Sequence, residues 1–246
     1  MNEAYAGLAQ WYDALTGDVP YKAFADFYEE LLKREGKREL TLLDLCCGTG
    51  TLTSEFAVRG HEMIGVDMSP EMLSEAQEKA QSLLCRVKPM YLCQEAAELD
   101  LYGTVEGALC SLDGMNYIPP EDIPEILHRL HLFIEPGGRF AFDMHSPEHL
   151  HDLDGQIFVD EDDDVLCLWR SEFDEEENAL VYGMDIFERS GKLWRRRQEE
   201  HVEYAHTPEW IASLLEENGF HEVRIITDGI QSEMGRLFIV ATNLEH

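Results

Sequence analysis

The side chains best placed for chemistry are two carboxylates, each at the end of an apolar run, with two glycines between them. Residues 42–50 (LLDLCCGTG) contain Asp44, Gly48 and Gly50. Asp67 ends the next apolar run. Glycine lets the backbone approach a ligand that a Cβ atom would block. A carboxylate ~20 residues beyond such a loop accepts hydrogen bonds from ribose hydroxyls in nucleotide-type sites. The pattern therefore predicts a nucleotide-type cofactor.

Two cofactors compete for this pattern. A nicotinamide site expects a third glycine or an alanine where this sequence has Thr53. Asp44 would repel two phosphates unless the helix N-terminus outweighed it, whereas a positively charged amino group would be attracted. We therefore predict S-adenosylmethionine as the cofactor. An NAD-dependent oxidoreductase, a non-catalytic regulatory protein that binds S-adenosylmethionine, and a tight turn without a ligand remain alternatives.

Alternating strand and helix patterns position these residues. The predicted strands are 40–45, 63–67, 87–93, 105–110 and 139–144, and the predicted helices are 21–35, 51–59, 69–81 and 120–133. Such alternation implies crossover connections and a parallel sheet. Pro89 cannot donate a ladder hydrogen bond, so the third strand is expected at a sheet edge.

The pattern changes in the last third of the chain. Three strand-like runs, near 165–173, 179–189 and 192–204, predict an antiparallel β meander. A helix that begins after Thr207 and two final strands follow it. The meander is therefore expected as an insertion into an α/β domain.

Several segments resemble the motifs of class I S-adenosylmethionine-dependent methyltransferases. Residues 42–50 resemble the first motif and 65–73 the second, while 94–99 lie where the third is found. Residues 135–138 resemble the turn before the fifth strand. The resemblance implies an α/β doubly wound, Rossmann-like sheet of order 3-2-1-4-5-7-6 with the last strand antiparallel.

A narrower resemblance points to a bacterial subgroup of small methyltransferases, the YqeM-like group. It is carried by residues 11–13 (WYD), 18–21 (DVPY) and 113–117 (DGMNY), together with the inserted meander. The implied domains are a cofactor-binding domain (1–145 and 207–243) with a cap segment (1–35) and an inserted β-rich lid (146–206). Separately, residues 244–246 (LEH) look like the remnant of an expression tag.

The motifs imply a set of cofactor-binding residues in the loops that follow the strands. Glu95 stands where family members often use aspartate to hold the adenine amino group, and the Ala96 backbone can bond the same ring. The complete expected set is Tyr12, Tyr21, Asp44, Gly48, Thr49, Gly50, Asp67, Met68, Glu95, Ala96 and Leu112.

Acceptor-side candidates follow the fourth and fifth strands. Asp113, Asn116, Tyr117 and His145 are the expected catalytic residues, with His145 as a candidate base. A base would contribute about 10²–10⁴-fold if the acceptor carries a proton.

Three residues of the predicted strand 192–204 are expected to contact the substrate. Arg195, Arg197 and His201 share one strand face. The two arginines could bind an acceptor carboxylate or pair with surface acids. No metal site is predicted.

Composition limits the class of partner. The formal net charge is −31, from 50 acidic and 19 basic residues. This charge repels phosphate backbones, so the acceptor is expected to be a small molecule rather than a nucleic acid. The absence of a long apolar run predicts no membrane association. Six cysteines without a regular spacing fit a reducing, cytoplasmic setting.

Overall fold

The computed structural model describes residues 8–244, which form seven α-helices and eleven strands. The helices are α1 (Ala9–Leu15), α2 (Tyr21–Leu32), α3 (Thr51–Val58), α4 (Pro70–Ser82), α5 (Ile123–Phe133), α6 (Pro147–Asp152) and α7 (Pro208–Glu217). The strands are β1 (Thr41–Leu45), β2 (Glu62–Asp67), β3 (Met90–Cys93), β4 (Val105–Cys110), β5 (Ile134–His145), β6 (Ile157–Asp162), β7 (Val165–Asp174), β8 (Ala179–Ser190), β9 (Leu193–Tyr204), β10 (Phe220–Ile226) and β11 (Arg236–Asn243).

The main sheet has seven strands in the order β10-β11-β5-β4-β1-β2-β3. Strands β1 to β5 pair in parallel, and β11 runs antiparallel to both of its neighbours. The predicted α/β fold and strand order are confirmed, since β11 and β10 take the places of strands 7 and 6. Leu42, Leu43 and Leu45 are fully buried because β1 is central and covered on both faces.

Helices pack on both faces of the main sheet and create two apolar cores. On one face, Leu127 of α5 and Ile211 of α7 are fully buried in one cluster. On the other face, Phe24 and Tyr28 of α2 pack with Phe56 of α3. The two cores pack against opposite faces of β1 and β4. The loops that follow these strands therefore begin at well-packed positions.

The second sheet is an antiparallel meander of four strands, β6-β7-β8-β9. The sequence predicted three strands and missed β6. Ile157 and Val159 of β6 are 66% and 55% exposed. These apolar side chains do not alternate between a core and solvent, so they lack the pattern by which a half-buried strand is recognised.

The first described helix packs against the second sheet. Leu8 and Trp11 contact a cluster that includes Val165, Met184 and Ile186 of β7 and β8. The cap segment is therefore attached to the inserted sheet by apolar contacts.

Two predicted strand boundaries are wrong. β3 begins at Met90, so Pro89 lies just before the strand, although β3 is at the sheet edge as expected. β5 begins at Ile134 rather than at residue 139. Its register with β4 shifts after the Ile134–Val105 pair, so residues 135–138 form an irregularity inside the strand rather than a turn before it.

Some expectations fall partly outside the described residues. Residues 1–7 of the expected cap segment, and residues 245–246 of the expected tag remnant, lie beyond the described range. Among the helices of residues 8–244, none is long and apolar enough to cross a membrane.

Candidate active site

A cavity of about 470 Å³ opens at the carboxyl ends of β1, β2 and β4 and extends to β9 of the second sheet. Its volume lies within the ~300–1,000 Å³ of small-molecule sites. Gly48 and Asp67 line one end, which we call the cofactor end, while Tyr117 and His201 line the other, the acceptor end. The arrangement matches the rule that ligands bind outside the carboxyl ends of strands.

The loop between β1 and α3 turns sharply beneath the cofactor end. Gly48 and Gly50 have φ values of 53° and 67°, which a glycine adopts without steric cost. Gly48 lines the cavity, and a Cβ there would meet nothing within 4 Å. At Gly50, a Cβ would lie 2.5 Å from the Tyr91 hydroxyl. Gly50 therefore serves packing against β3, whereas Gly48 borders the ligand space.

Asp67 ends β2 and lines the cavity. Its carboxylate accepts the backbone N–H groups of Gly48 at 2.8 Å and Ser69 at 2.9 Å. Burial raises its pKa, although these hydrogen bonds act to lower it. An ionised carboxylate has about four acceptor positions, so capacity remains for ligand hydroxyls.

Asp44 lies behind the cavity wall rather than in it. The side chain is buried, and the Thr53 hydroxyl of α3 donates to Oδ2. Within residues 8–244, Oδ1 has no hydrogen-bond partner. Burial raises the pKa of Asp44 to about 7. This placement differs from the expected direct contact of Asp44 with the cofactor.

All of the expected cofactor residues except Asp44 and Gly50 line the cavity. Thr49 is buried, and its hydroxyl donates to Asp13 at 2.6 Å. Burial is the largest cause that raises the pKa of Tyr12, followed by nearby groups that include Asp113 and Asp67. The lining members of the expected set are Tyr12, Tyr21, Gly48, Thr49, Asp67, Met68, Glu95, Ala96 and Leu112.

Helix α1 crosses the cofactor end, and we call residues 8–15 the strap. Lys79 of α4 pairs with Asp13 Oδ2 at 2.6 Å. The Leu8 N–H donates to Glu199 of β9 at 3.2 Å, and the Trp11 indole N–H donates to Glu188 of β8 at 3.2 Å. The strap is thus attached both to the main domain and to the second sheet. The strap lies within the expected cap segment, but the contacts of Asp13 were not predicted.

The acceptor end is built from the segment after β4 and from the end of β9. Tyr117 ends the short turn Gly114–Tyr117, and its ring meets His201 edge-on with 6.3 Å between centroids. The residues that line this end are Tyr117, Ile118, Asp122, Glu200, His201, Val202 and Tyr204.

Asn116 does not line the cavity. It is fully buried, and its Nδ2 donates to the carbonyl oxygens of His145 and Tyr204. Its Oδ1 accepts the backbone N–H of His145 at 2.9 Å. The residue therefore joins the segment after β4 to the ends of β5 and β9, which differs from its expected place among the catalytic residues.

A network of buried charges lies behind the acceptor end. Arg236 of β11 bonds Asp143 and lies 2.8 Å from Asp113 Oδ1. Its Nη2 is 3.1 Å from His145 Nε2, and His145 Nδ1 is 3.4 Å from Glu203 Oε2. Asp113 and His145 therefore do not line the cavity. Sequence analysis missed Arg236 and Glu203, which come from strands distant in the chain.

The charges of the network shift one another's pKa values. Burial acts to raise the pKa of Asp113, but Arg236 and His145 outweigh it and lower the pKa. Burial acts to lower the pKa of His145, but Asp113 and Glu203 outweigh it and raise the pKa. Burial also raises the pKa of Glu203. Each charged group of the network is therefore stabilised by a neighbour of opposite charge.

Asp113, His145 and Glu203 each offer one ligand atom within 4.8 Å of the others, and they are the one such group among residues 8–244. A metal ion there would face the guanidinium of Arg236, which already lies beside Asp113 and His145. Two cations at this distance repel each other. The geometry favours an ion-pair network over a metal centre.

The three expected substrate contacts on β9 are separated. His201 is buried and lines the cavity. Arg195 and Arg197 lie towards the β8–β9 hairpin and do not line it, and Arg197 pairs with Glu188 at 3.2 Å. A carboxylate of an acceptor inside the cavity would therefore contact neither Arg195 nor Arg197.

The residues present fit S-adenosylmethionine. The cavity holds Asp67 where ribose hydroxyls are expected and leaves the space around Gly48 open. Asp44 lies outside the cavity lining, and its Oδ1 has no hydrogen-bond partner within residues 8–244. The lining features suit a cofactor that carries a ribose, as S-adenosylmethionine does.

Comparisons with known proteins agree with the site. A methyltransferase-domain family model matches residues 42–138. YqeM of Bacillus subtilis, which is named as a methyltransferase, is 29% identical over 233 residues, or 93% of this chain and 91% of the relative.

Solved structures extend the likeness to the whole fold. A S-adenosylmethionine-dependent methyltransferase from Clostridium acetobutylicum has a TM-score of 0.81 at 27% identity and covers 96% of this chain and 97% of its own. A sugar N-methyltransferase from Streptoalloteichus sp. has a TM-score of 0.79 at 21% identity, covers 95% and 93%, and shows the fold alone. Residues 42–138 therefore match a methyltransferase domain, and over nearly its whole length the chain is similar to YqeM of Bacillus subtilis and to a S-adenosylmethionine-dependent methyltransferase of known structure.

Proposed function

We propose that the chain transfers the methyl group of S-adenosylmethionine to a small-molecule acceptor held between the main sheet and β9. The observation that carries the proposal is one continuous cavity with Gly48 and Asp67 at its cofactor end and Tyr117 and His201 at its acceptor end. A single space of about 470 Å³ suits two small reactants side by side.

The protein's part in this reaction is positioning and exclusion of water. The bound cofactor supplies an electrophilic sulfonium methyl group. Alignment of two bound reactants can contribute roughly 7–11 kcal/mol to the lowering of the barrier. Tyr12 of the strap and Tyr21 of α2 line the cavity, so this side is bordered by aromatic rings. The second sheet closes the other side through His201 and Tyr204.

The other candidate functions are less well supported. For an NAD-dependent oxidoreductase, a pyrophosphate would have to lie beside Asp44 and Asp67 without a lysine or arginine among the described lining residues. For a purely regulatory protein, the enclosed acceptor end would have no use. A nucleic-acid acceptor is disfavoured by the net charge of −31.

A thermal-shift measurement tests the cofactor. S-adenosylmethionine and S-adenosylhomocysteine are added to the wild type and to Asp67→Ala, with NADH as the competing ligand. A ligand at 100 times its Kd stabilises the native state by about 2.7 kcal/mol. We expect both adenosyl ligands to raise the melting temperature of the wild type and to have a much smaller effect on the variant. A rise with NADH alone would support the oxidoreductase.

The matched control is Glu62→Gln at the other end of β2, where the side chain is exposed and pairs with Arg86. Its response to both adenosyl ligands is expected to equal that of the wild type. An equal loss in both variants would mean that the strand, rather than the Asp67 carboxylate, accounts for the effect.

A further inference from the structure

The turn that follows β4 has a backbone conformation that side chains disfavour. Leu112 and Asp113 have φ values of 55° and 57°. In this left-handed region the Cβ atom comes too close to a carbonyl oxygen, so a non-glycine residue remains there only where its surroundings hold it. The same turn forms a wall of the cavity, which Ser111, Leu112 and Gly114 line. A structural element outside the turn must therefore fix this part of the wall.

Asp143 of β5 makes the hydrogen bonds that hold the turn. Its Oδ1 accepts the backbone N–H of Leu112 at 2.9 Å, and its Oδ2 accepts the backbone N–H of Asp113 at 3.0 Å. Successive backbone N–H groups of this kind form a concave site for an anion, and here the anion is a carboxylate of the same chain. Because the two bonds fix two consecutive peptide groups, Asp143 sets the orientation of the strained residues.

Asp143 is held in turn by two other elements. The Tyr28 hydroxyl of α2 donates to Oδ1 at 2.5 Å, and Arg236 of β11 donates to Oδ2. A carboxylate has about four acceptor positions, and these two donors together with the two turn amides match that number. The side chain is fully buried and does not line the cavity. Asp143 therefore acts on a bound ligand only through the turn.

We propose that Asp143 is a positioning residue for methyl transfer, and that it holds the turn so that Leu112 borders the bound cofactor. This inference rests on the proposed methyl transfer, because it concerns how the two reactants are aligned. The turn leads directly into the segment that carries Tyr117 at the acceptor end. A displacement of about 1 Å at such a position can lower a reaction rate by about 10²-fold.

Asp143→Asn is the first test. The amide has nearly the same shape as the carboxylate, but one oxygen becomes an NH₂ donor that would face a donor of the turn or of Arg236. One anchor of the turn is therefore lost or weakened. We expect the calorimetric Kd for S-adenosylhomocysteine to rise about tenfold or more, and hydrogen exchange of residues 111–117 to become faster. A folded variant with the Kd and the exchange of the wild type would overturn the inference, whereas a wild type that does not bind would contradict the proposed function.

Asn243→Ala is the control for a general loss of stability. Asn243 of β11 is also buried, and its Nδ2 donates to the carbonyl oxygens of His131 and Ile134 near the opposite end of β5. This substitution should lower the melting temperature. Below the unfolding transition it should change neither the Kd for S-adenosylhomocysteine nor the exchange of residues 111–117. An equal rise of the Kd in both variants would mean that Asp143 acts through overall stability, and would overturn its positioning role.

A double-mutant cycle with Leu112→Ala separates positioning from structure. Leu112 lines the cavity, so its truncation should weaken binding of S-adenosylhomocysteine in the wild type. Once Asp143→Asn has released the turn, the Leu112 side chain no longer borders the cofactor, and its truncation should raise the Kd several-fold less. Residues that act through one element are non-additive in this way. The effect of Leu112→Ala should be unchanged in the Asn243→Ala background. Additive effects of Leu112→Ala and Asp143→Asn on the Kd would overturn the inference.

Tyr28→Phe is the milder variant and carries the test where Asp143→Asn does not fold. The ring keeps its edge-on contact with Phe238, and only the hydroxyl that donates to Asp143 is lost. The two turn amides and Arg236 keep their bonds to the carboxylate. We expect faster exchange of residues 111–117 and a rise of the Kd for S-adenosylhomocysteine, both smaller than in Asp143→Asn. Wild-type exchange and a wild-type Kd in Tyr28→Phe would then overturn the positioning role.

Discussion

At the scale of single residues, two neighbouring carboxylates have different surroundings. Asp44 is next to last in β1 and Asp67 is last in the adjacent parallel β2, yet Asp67 accepts two backbone N–H groups and Asp44 accepts one hydroxyl. Burial is the largest cause of the raised pKa in both. Asp67 keeps contact with the cavity, whereas Asp44 lies behind the loop. The two acids therefore stabilise the site in different ways.

The Asp44 carboxyl predicts a pH-dependent stability. Its pKa is raised from 3.8 to about 7, so the folded state binds the proton more tightly than the unfolded state. Its protonated form therefore favours folding at low pH, and this contribution is lost as the pH rises from about 4 to about 7. Asp44→Asn should match the wild type at pH 4 and exceed its stability by at least about 1 kcal/mol at pH 8.

Urea unfolding of the ligand-free proteins at several pH values measures this gap, with Asp100→Asn as an exposed control that should show none. A gap of equal size at pH 4 and pH 8 would contradict the raised pKa of Asp44.

Arg236 predicts a large loss of stability on removal. Its guanidinium is buried between Asp113 and Asp143. Arg236→Met leaves two buried carboxylates without their cation, which costs about 3–5 kcal/mol. Urea unfolding should show this loss, and adding Asp113→Asn should recover part of it. Arg86→Met, which removes two exposed ion pairs with Glu39 and Glu62, should cost about 1 kcal/mol or less. Equal effects of the two arginine substitutions would contradict the role of the network.

The sequence predicted the cofactor end better than the acceptor end, for a physical reason. The cofactor residues, such as Gly48 and Asp67, belong to consecutive strand–loop–helix units and can be placed by local pattern. The acceptor end needs His201 of β9, and the network behind it needs Glu203 of β9 and Arg236 of β11. These strands meet the segment after β4 only when the sheets form. Asn116 was expected in the cavity because it comes just after the fourth strand, but its amide bonds the backbone instead.

At the scale of elements, the strap predicts control of cofactor exchange. Lys79→Met removes the ion pair with Asp13 and loosens α1 over the cofactor end. We expect faster hydrogen exchange in residues 9–15 and dissociation of S-adenosylhomocysteine faster by up to about fivefold, since a partly exposed pair contributes about 1 kcal/mol or less. Stopped-flow dissociation and exchange mass spectrometry measure the two effects.

Lys33→Met is the matched control, because Lys33 pairs with Glu30 in α2 on an exposed surface. It should change neither the exchange of α1 nor the dissociation rate. Faster exchange in α1 without faster dissociation would show that the strap moves independently of the cofactor.

The order of the elements was predictable, but their irregular parts were not. Alternating apolar runs and helices imply the doubly wound sheet. The edge position of β3 was predicted from Pro89 and agreed with the strand order that the resemblance implies, although Pro89 itself lies just before the strand. β6 was missed because its apolar side chains remain exposed, and the early start of β5 was missed because residues 135–138 look like a turn. Both features depend on pairing with a neighbouring strand, which local sequence does not encode.

At the scale of the whole molecule, the net charge of −31 acts on stability as well as on the choice of partner. Like charges repel one another more strongly in the compact state than in the unfolded chain. Salt shortens the range of this repulsion from about 30 Å at 0.01 M to about 8 Å at 0.15 M. The exposed ion pairs, such as Arg86 with Glu62, are weakened by the same salt but contribute little.

Repulsion should therefore outweigh the ion pairs, and the melting temperature should rise as NaCl increases from about 0.01 M to about 0.15 M. Differential scanning calorimetry of the ligand-free chain measures this rise. KCl should act equally, because screening depends on ionic strength and not on a specific cation. A variant in which Asp162, Asp163 and Asp164 are replaced by asparagine carries less charge, so its rise should be smaller. A fall in the melting temperature with salt would mean that the ion pairs, including the buried network of Arg236, dominate the electrostatics of the fold.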